Sequence, residues 1–77
     1  MRAQTPNPEP QIPGKTRRLI RKVVKGKILS IRDLGEGEYE VWTKYVVDGD
    51  TDAEVWDIYY YIRVSGNEVE VLTEDWE

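Results

Sequence analysis

The hydrophobic period of this chain changes at Gly26, and the change points to a helix followed by a sheet. Over residues 16–25, Leu19, Ile20, Val23 and Val24 recur at helical spacing. They share an arc of about 140° when each residue advances by about 100°. Arg17, Arg18, Arg21, Lys22 and Lys25 occupy the complementary arc. As a strand, the same segment would mix basic and apolar side chains on both faces. It is therefore expected to form an amphipathic helix with one basic face. Thr16 would be its N-cap, and Gly26 would sit just past its C-terminus, where a residue without Cβ can take the left-handed conformation. So short a segment, rich in Val and Ile, does not hold a helix in isolation, so its apolar arc must be packed.

After Gly26 the period is two. Four strand-like runs, 28–33, 38–48, 53–64 and 68–73, are separated by Gly35 and Gly37, by Asp48-Gly49 and by Ser65-Gly66-Asn67. Those are residues that hairpin turns favour. A correct antiparallel register should set opposite charges and matched apolar residues face to face. Between the second and third runs, pairs whose numbers add to 101 join Lys44 with Asp57, Glu38 with Arg63, Tyr45 with Trp56 and Val41 with Tyr60. Between the third and fourth, a sum of 133 joins Arg63 with Glu70 and Ile62 with Val71. Between the first and second, a sum of 72 joins Arg32 with Glu40 and Ile31 with Val41. The three hairpins then agree on one apolar face: Leu29, Ile31, Tyr39, Val41, Thr43, Tyr45, Val47, Trp56, Ile58, Tyr60, Ile62, Val64, Val69 and Val71. Leu19, Ile20, Val23 and Val24 would cover it.

The expected fold is α+β, with one N-terminal amphipathic helix packed on a four-stranded antiparallel meander sheet in the order α-β-β-β-β. In topology alone this layout resembles the helix on a curved sheet of cystatin-like and monellin-like folds; no motif in the chain carries it to a family. Residues 1–14 hold all four prolines (Pro6, Pro8, Pro10 and Pro13) among Gln, Asn and Thr, and are expected to form a flexible Pro-rich arm. Residues 15–77 form the single α+β domain.

Charge also divides along the chain. Residues 1–32 carry nine Lys and Arg against Glu9, a net of +8, whereas residues 33–77 carry Lys44 and Arg63 against fourteen acids, a net of −12. The overall −4 thus conceals two opposed fields, each felt by a charged partner within about 8 Å in cell-like salt. With no Cys among 77 residues, neither a disulfide framework nor thiolate metal ligation can help so small a core. No apolar run approaches the roughly 20 residues of a membrane span, and residues 1–14 lack the apolar stretch of a secretory signal, so a soluble, intracellular (cytoplasmic) protein without membrane contact is expected.

The absence of His and Cys removes the commonest general base and the best nucleophile. Ser30 and Ser65 have no base nearby in this register. No enzymatic activity and no cofactor are expected. Asp48, Asp50 and Asp52 alternate as calcium ligands do, but an EF-hand loop beginning there would need Gly where Ala53 stands and Glu where Tyr59 stands, leaving only weak cation binding.

Two surfaces remain. On the sheet face away from the core, Trp42 lies across from Tyr59 and Val46 across from Val55, with Tyr61 and Leu72 nearby. Aromatic anchors inside a charged rim are the usual composition of a protein interface. Sheet curl, the N-terminal arm or the tail 73–77, with Trp76, could instead cover this patch. The expected function is a non-enzymatic protein-interaction module, a small regulator, inhibitor or accessory subunit. It would bind a protein partner or its own copy through Trp42, Val46, Val55, Tyr59 and Tyr61. The alternative is a nucleic-acid-binding accessory protein. It would contact phosphates through Lys15, Arg17, Arg18, Arg21, Lys22, Lys25 and Lys27, a basic stretch long enough to follow a duplex backbone.

Overall fold

The computed structural model describes residues 12–49 and 51–77, in which one helix precedes four strands. α1 (Gly14–Val23) is followed by β1 (Lys27–Gly35), β2 (Glu38–Asp48), β3 (Ala53–Ser65) and β4 (Glu68–Trp76). The strands form one antiparallel sheet in the order β1-β2-β3-β4, as the change of period predicts. Residues 1–11 of the expected arm, with Pro6, Pro8 and Pro10, lie outside the described residues. Its last residues join the folded body: Ile12 is buried in the core, Pro13 is the N-cap and Gly14 opens α1.

Both ends of the helix differ from expectation. Pro13 rather than Thr16 caps it, with φ −55° and ψ 145° and no side-chain cap. Its carbonyl accepts the Arg17 N–H at 3.0 Å. Proline suits this end because its φ is close to helical and it has no N–H to leave orphaned. At the other end Val24 turns extended, its N–H donating to the Ile20 carbonyl at 3.2 Å. Gly26 has φ +85°, but what requires glycine there is a close approach, since a Cβ would overlap the Lys44 carbonyl oxygen.

The β2–β3 register runs unbroken from Glu38↔Arg63 to Asp48↔Ala53, every pair as expected. The outer hairpins each contain irregularities. β1 follows the expected pairing from Ser30↔Trp42 to Asp33↔Tyr39, then shifts at Leu29 and again at Leu34. β4 follows it from Val64↔Val69 to Ile62↔Val71, then shifts at Leu72 and continues past Thr73 to Ile58↔Trp76. An extra residue of this kind reverses the alternation beyond it.

Three residues expected in the core are exposed: Leu29 (48%), Val47 and Val71. Leu29 is the extra residue of a bulge, and Ile28 takes the place beside Thr43. Val71 lies on the edge strand next to the Leu72 bulge. Val47 lies toward the β2–β3 turn. A ten-residue helix spans about 15 Å and an eleven-residue strand about 37 Å, so α1 covers only part of the sheet.

Where it does cover, the core is dense. Ile20, Ile31, Val41, Ile58, Tyr60 and Ile62 are at most 1% exposed, and each such isoleucine contributes on the order of 2 kcal/mol through burial. The Tyr60 hydroxyl accepts the Lys25 backbone N–H at 2.9 Å, which fastens the chain leaving α1 to the centre of β3. Thr43 is also buried, and its hydroxyl has no hydrogen-bond partner among the described residues. Among the described residues no helix is long and apolar enough to cross a membrane.

Candidate functional site

The helix packs on one face of the sheet, so the opposite face depends on its own side chains. Strand alternation assigns to it the even-numbered residues of β2 and the odd-numbered residues of β3. From the β2–β3 turn toward the other end, the pairs read Val46↔Val55, Lys44↔Asp57, Trp42↔Tyr59, Glu40↔Tyr61 and Glu38↔Arg63. All five residues expected to form the aromatic and aliphatic patch share this face. The Lys44↔Asp57 pair divides them, however, into an aliphatic end and an aromatic centre. Val46 (52%) and Val55 (56%) are exposed, while Trp42, Tyr59 and Tyr61 are half-buried.

The aromatic centre is tied down by a repeated unit. Tyr59 Oη donates to Glu40 Oε2 at 2.7 Å, and Arg32 Nη1 donates to Glu40 Oε1 at 3.1 Å. Tyr61 Oη donates to Glu38 Oε1 at 2.8 Å, and Arg63 Nη2 donates to Glu38 Oε2 at 3.2 Å. Each carboxylate is held between a phenol and a guanidinium. The Tyr59 phenol, then Arg32, hold Glu40 below the usual carboxylate range; the Tyr61 phenol, then Arg63, do the same for Glu38. In return, Glu40 pushes Tyr59 up to about 12, and Glu38 raises Tyr61. Exposed ion pairs of this kind add little stability. Their effect is to tie down the Tyr59 and Tyr61 rings; the Trp42 ring lies 5.5 Å from that of Tyr59, tilted by 54°.

Beside these rings runs a groove of about 520 Å³ whose lining includes Leu29, Trp42, Asp57, Tyr59, Asp75 and Glu77. Leu29 reaches it through the β1 bulge. Asp75 and Glu77 reach it because β4 continues beyond Thr73, with Asp57 and Glu77 exchanging backbone hydrogen bonds of 2.9 and 2.8 Å. These three residues were missed by the reading of periodicity. The available signal was the apolar doublets Ile28-Leu29 and Val71-Leu72, where alternation stalls. It is a weak signal, since Val46-Val47 is also a doublet and lies in unbroken register.

Of the tail 73–77, Asp75 and Glu77 border the patch, but Trp76 does not cover it. Trp76 lies in β4, and its ring contacts Trp56 (5.6 Å) and Tyr45 (5.8 Å) on the helix side of the sheet. The Leu72 bulge is the cause, because it reverses the face of every later residue in β4.

The seven cations of the alternative surface do not form one helical face. Lys15, Arg18, Arg21 and Lys22 are exposed on α1 and Arg17 is half-buried there, but Lys25 follows the helix and Lys27 opens β1 opposite Lys44. Of the possible cation ligands, Asp48 and Asp52 flank a turn in which the Gly49 N–H donates to the Asp52 carbonyl at 2.8 Å, and Asp50 lies outside the described residues. Among the described residues, no group of three or more acidic, His or Cys side chains is placed to hold a metal ion. Compared with protein-family models, curated proteins and solved structures, the chain matches none.

Proposed function

We propose that this chain is a non-enzymatic protein-interaction module that binds through the sheet face opposite its helix, centred on Trp42 and Tyr59. The observation that carries the proposal is a half-buried aromatic pair, its tyrosine tied to Glu40, beside a groove and rimmed by charge. The Tyr59 ring, already tied to Glu40, loses little rotamer freedom on binding, and the half-buried Trp42 and Tyr59 keep apolar surface to bury. The composition agrees, since a chain without His or Cys lacks the usual acid–base and nucleophilic groups. A small regulator, inhibitor or accessory subunit would have this character.

A second reading rests on the exposure of Lys15, Arg18, Arg21, Lys22, Lys25 and Lys27. On that reading α1 is amphipathic, with Ile20 inward and its cations outward, and the basic segment contacts nucleic-acid phosphates.

One set of variants separates the two. In sedimentation and binding measurements, Trp42→Ala is expected to abolish association with protein while leaving the fold intact. Arg18→Glu/Arg21→Glu/Lys25→Glu is expected to leave that association in place. Retardation of DNA or RNA at low salt, lost in the triple variant and kept in Trp42→Ala, would transfer the function to the basic segment.

A further inference from the structure

The groove beside Trp42 has a chemical bias that an apolar interface would lack. Its apolar lining includes Leu29, Trp42 and Tyr59, whereas its charged lining consists of Asp57, Asp75 and Glu77. Among the described residues the ion pairs are Arg32–Glu40 and Arg63–Glu38, so none of these three carboxylates has a salt-bridge partner there. Lys44 stands opposite Asp57 in register without pairing to it. Aromatic faces meeting at an angle attract a cation through their quadrupoles, and carboxylates at the rim reinforce that attraction.

We infer that the groove receives an arginine or lysine side chain from a basic segment of a partner protein, its stem against Leu29 and Trp42 and its charge among Asp57, Asp75 and Glu77. This rests on the interface reading above and deepens it by naming the partner's chemistry. The site's charge complements a cationic segment. This chain has such a segment of its own, but α1 packs on the opposite face of the sheet, as the alternation of Tyr60 and Tyr59 shows. A copy docked by its helix would make a head-to-tail contact, which satisfies every groove only where its rotation closes a ring and otherwise builds open chains. A separate protein fills the groove without that geometric condition, and is the occupant inferred.

The test uses the whole chain, labelled with ¹⁵N, titrated with tetraarginine at low salt, with tetraglutamate as the charge-reversed control. Saturable shifts are expected at the Trp42 indole N–H and at the amides of Leu29, Ile58 and Asp75. They should be absent with tetraglutamate and weaken at least tenfold in 300 mM salt. Asp57→Asn/Asp75→Asn should weaken binding about tenfold with the amide spectrum otherwise preserved. Asp52→Asn/Glu68→Gln, which changes net charge equally at exposed positions away from the groove, should weaken it less than twofold. Equal loss in both double variants, or shifts located away from Trp42, would overturn the inference by reducing it to general attraction between opposite charges. Salt-sensitive self-association that disappears in Asp57→Asn/Asp75→Asn would overturn it in favour of a second copy. Loss of protein association in Trp42→Ala but not in Asp57→Asn/Asp75→Asn would leave the interface standing and remove the cationic occupant.

Discussion

Tyr59, Tyr60 and Tyr61 are consecutive copies of one residue that meet opposite circumstances because strand side chains alternate. Tyr60 points toward the helix, is 1% exposed, and has its hydroxyl bound by the Lys25 N–H. Tyr59 and Tyr61 point away, remain half-buried, and donate hydrogen bonds from their hydroxyls to Glu40 and Glu38. The helix-side face is held by exclusion of water, and its polar groups are few. The other face stays in water and is held by directed, charge-assisted bonds that position rings without hiding them. The same sheet thus carries a structural side and a side suited to recognition.

The most forceful way to break that contrast is to truncate neighbouring tyrosines. Tyr60→Ala removes a ring from a filled core and leaves the Lys25 N–H without its partner, a loss expected at about 4 kcal/mol. A domain of this size has about 4–11 kcal/mol in total, so the variant should be largely unfolded or melt at far lower urea. Tyr59→Ala should cost about 1 kcal/mol, since it removes one half-exposed ring and one exposed hydrogen bond. Urea titrations of the two variants measure both. Comparable losses would mean that the outer face supports the fold as strongly as the core does.

The two faces also differ in how far they could be read from sequence. The β2–β3 pairing was fully legible, because eleven consecutive pairs keep one phase and each charge or aromatic pair reinforces it. The aromatic centre of the candidate site inherits that legibility, since Trp42 and Tyr59 both lie in this hairpin. The groove does not. It depends on Leu29, Asp75 and Glu77, whose positions follow from single extra residues in β1 and β4. A bulge costs one residue and leaves almost no trace in composition, yet it moved Leu29 out of the core and brought Trp76 to the helix side. The start of the helix was obscured for a related reason. Pro13 looks like the last residue of a proline-rich arm, but the same ring that favours an extended arm also suits it to a helix N-terminus.

Removing one hydroxyl from each face should shift stability in opposite directions. Thr43 is buried with a hydroxyl unpartnered among the described residues, so Thr43→Val exchanges an unsatisfied polar atom for a methyl of similar shape and is expected to gain about 1 kcal/mol. Tyr59→Phe removes a hydroxyl that is in use, leaving Glu40 with Arg32 alone, and should be slightly destabilising at neutral pH. Both are read from the denaturation midpoint at pH 7. Destabilisation by Thr43→Val would show that its hydroxyl has a partner, such as a buried water, and that the helix-side face contains a polar contact within its apolar packing.

The smallest expected effect is also the most specific to the outer face, because it depends on pH. The Tyr59 phenol is held neutral by its bond to Glu40, with its pKa pushed up to about 12, against about 10 in an unfolded chain. A group whose pKa is raised by folding contributes fully below the unfolded value and loses that contribution as pH rises through the folded one. The contribution from Tyr59 is thus complete below about pH 10 and is lost between about 10 and 12. Glu40 and Glu38 are shifted the opposite way, below their ordinary range, so their contribution is complete above that range and is lost as pH falls through their lowered values. The stability difference between the native chain and Tyr59→Phe should therefore form a plateau near neutrality that falls off at both extremes. Absorbance at about 295 nm should show a tyrosine that ionises late in the native chain and is missing from Tyr59→Phe. An unchanged alkaline titration in that variant would mean that the Tyr59–Glu40 bond does not persist in solution, and with it would go the fixed ring orientation on which recognition by this face depends.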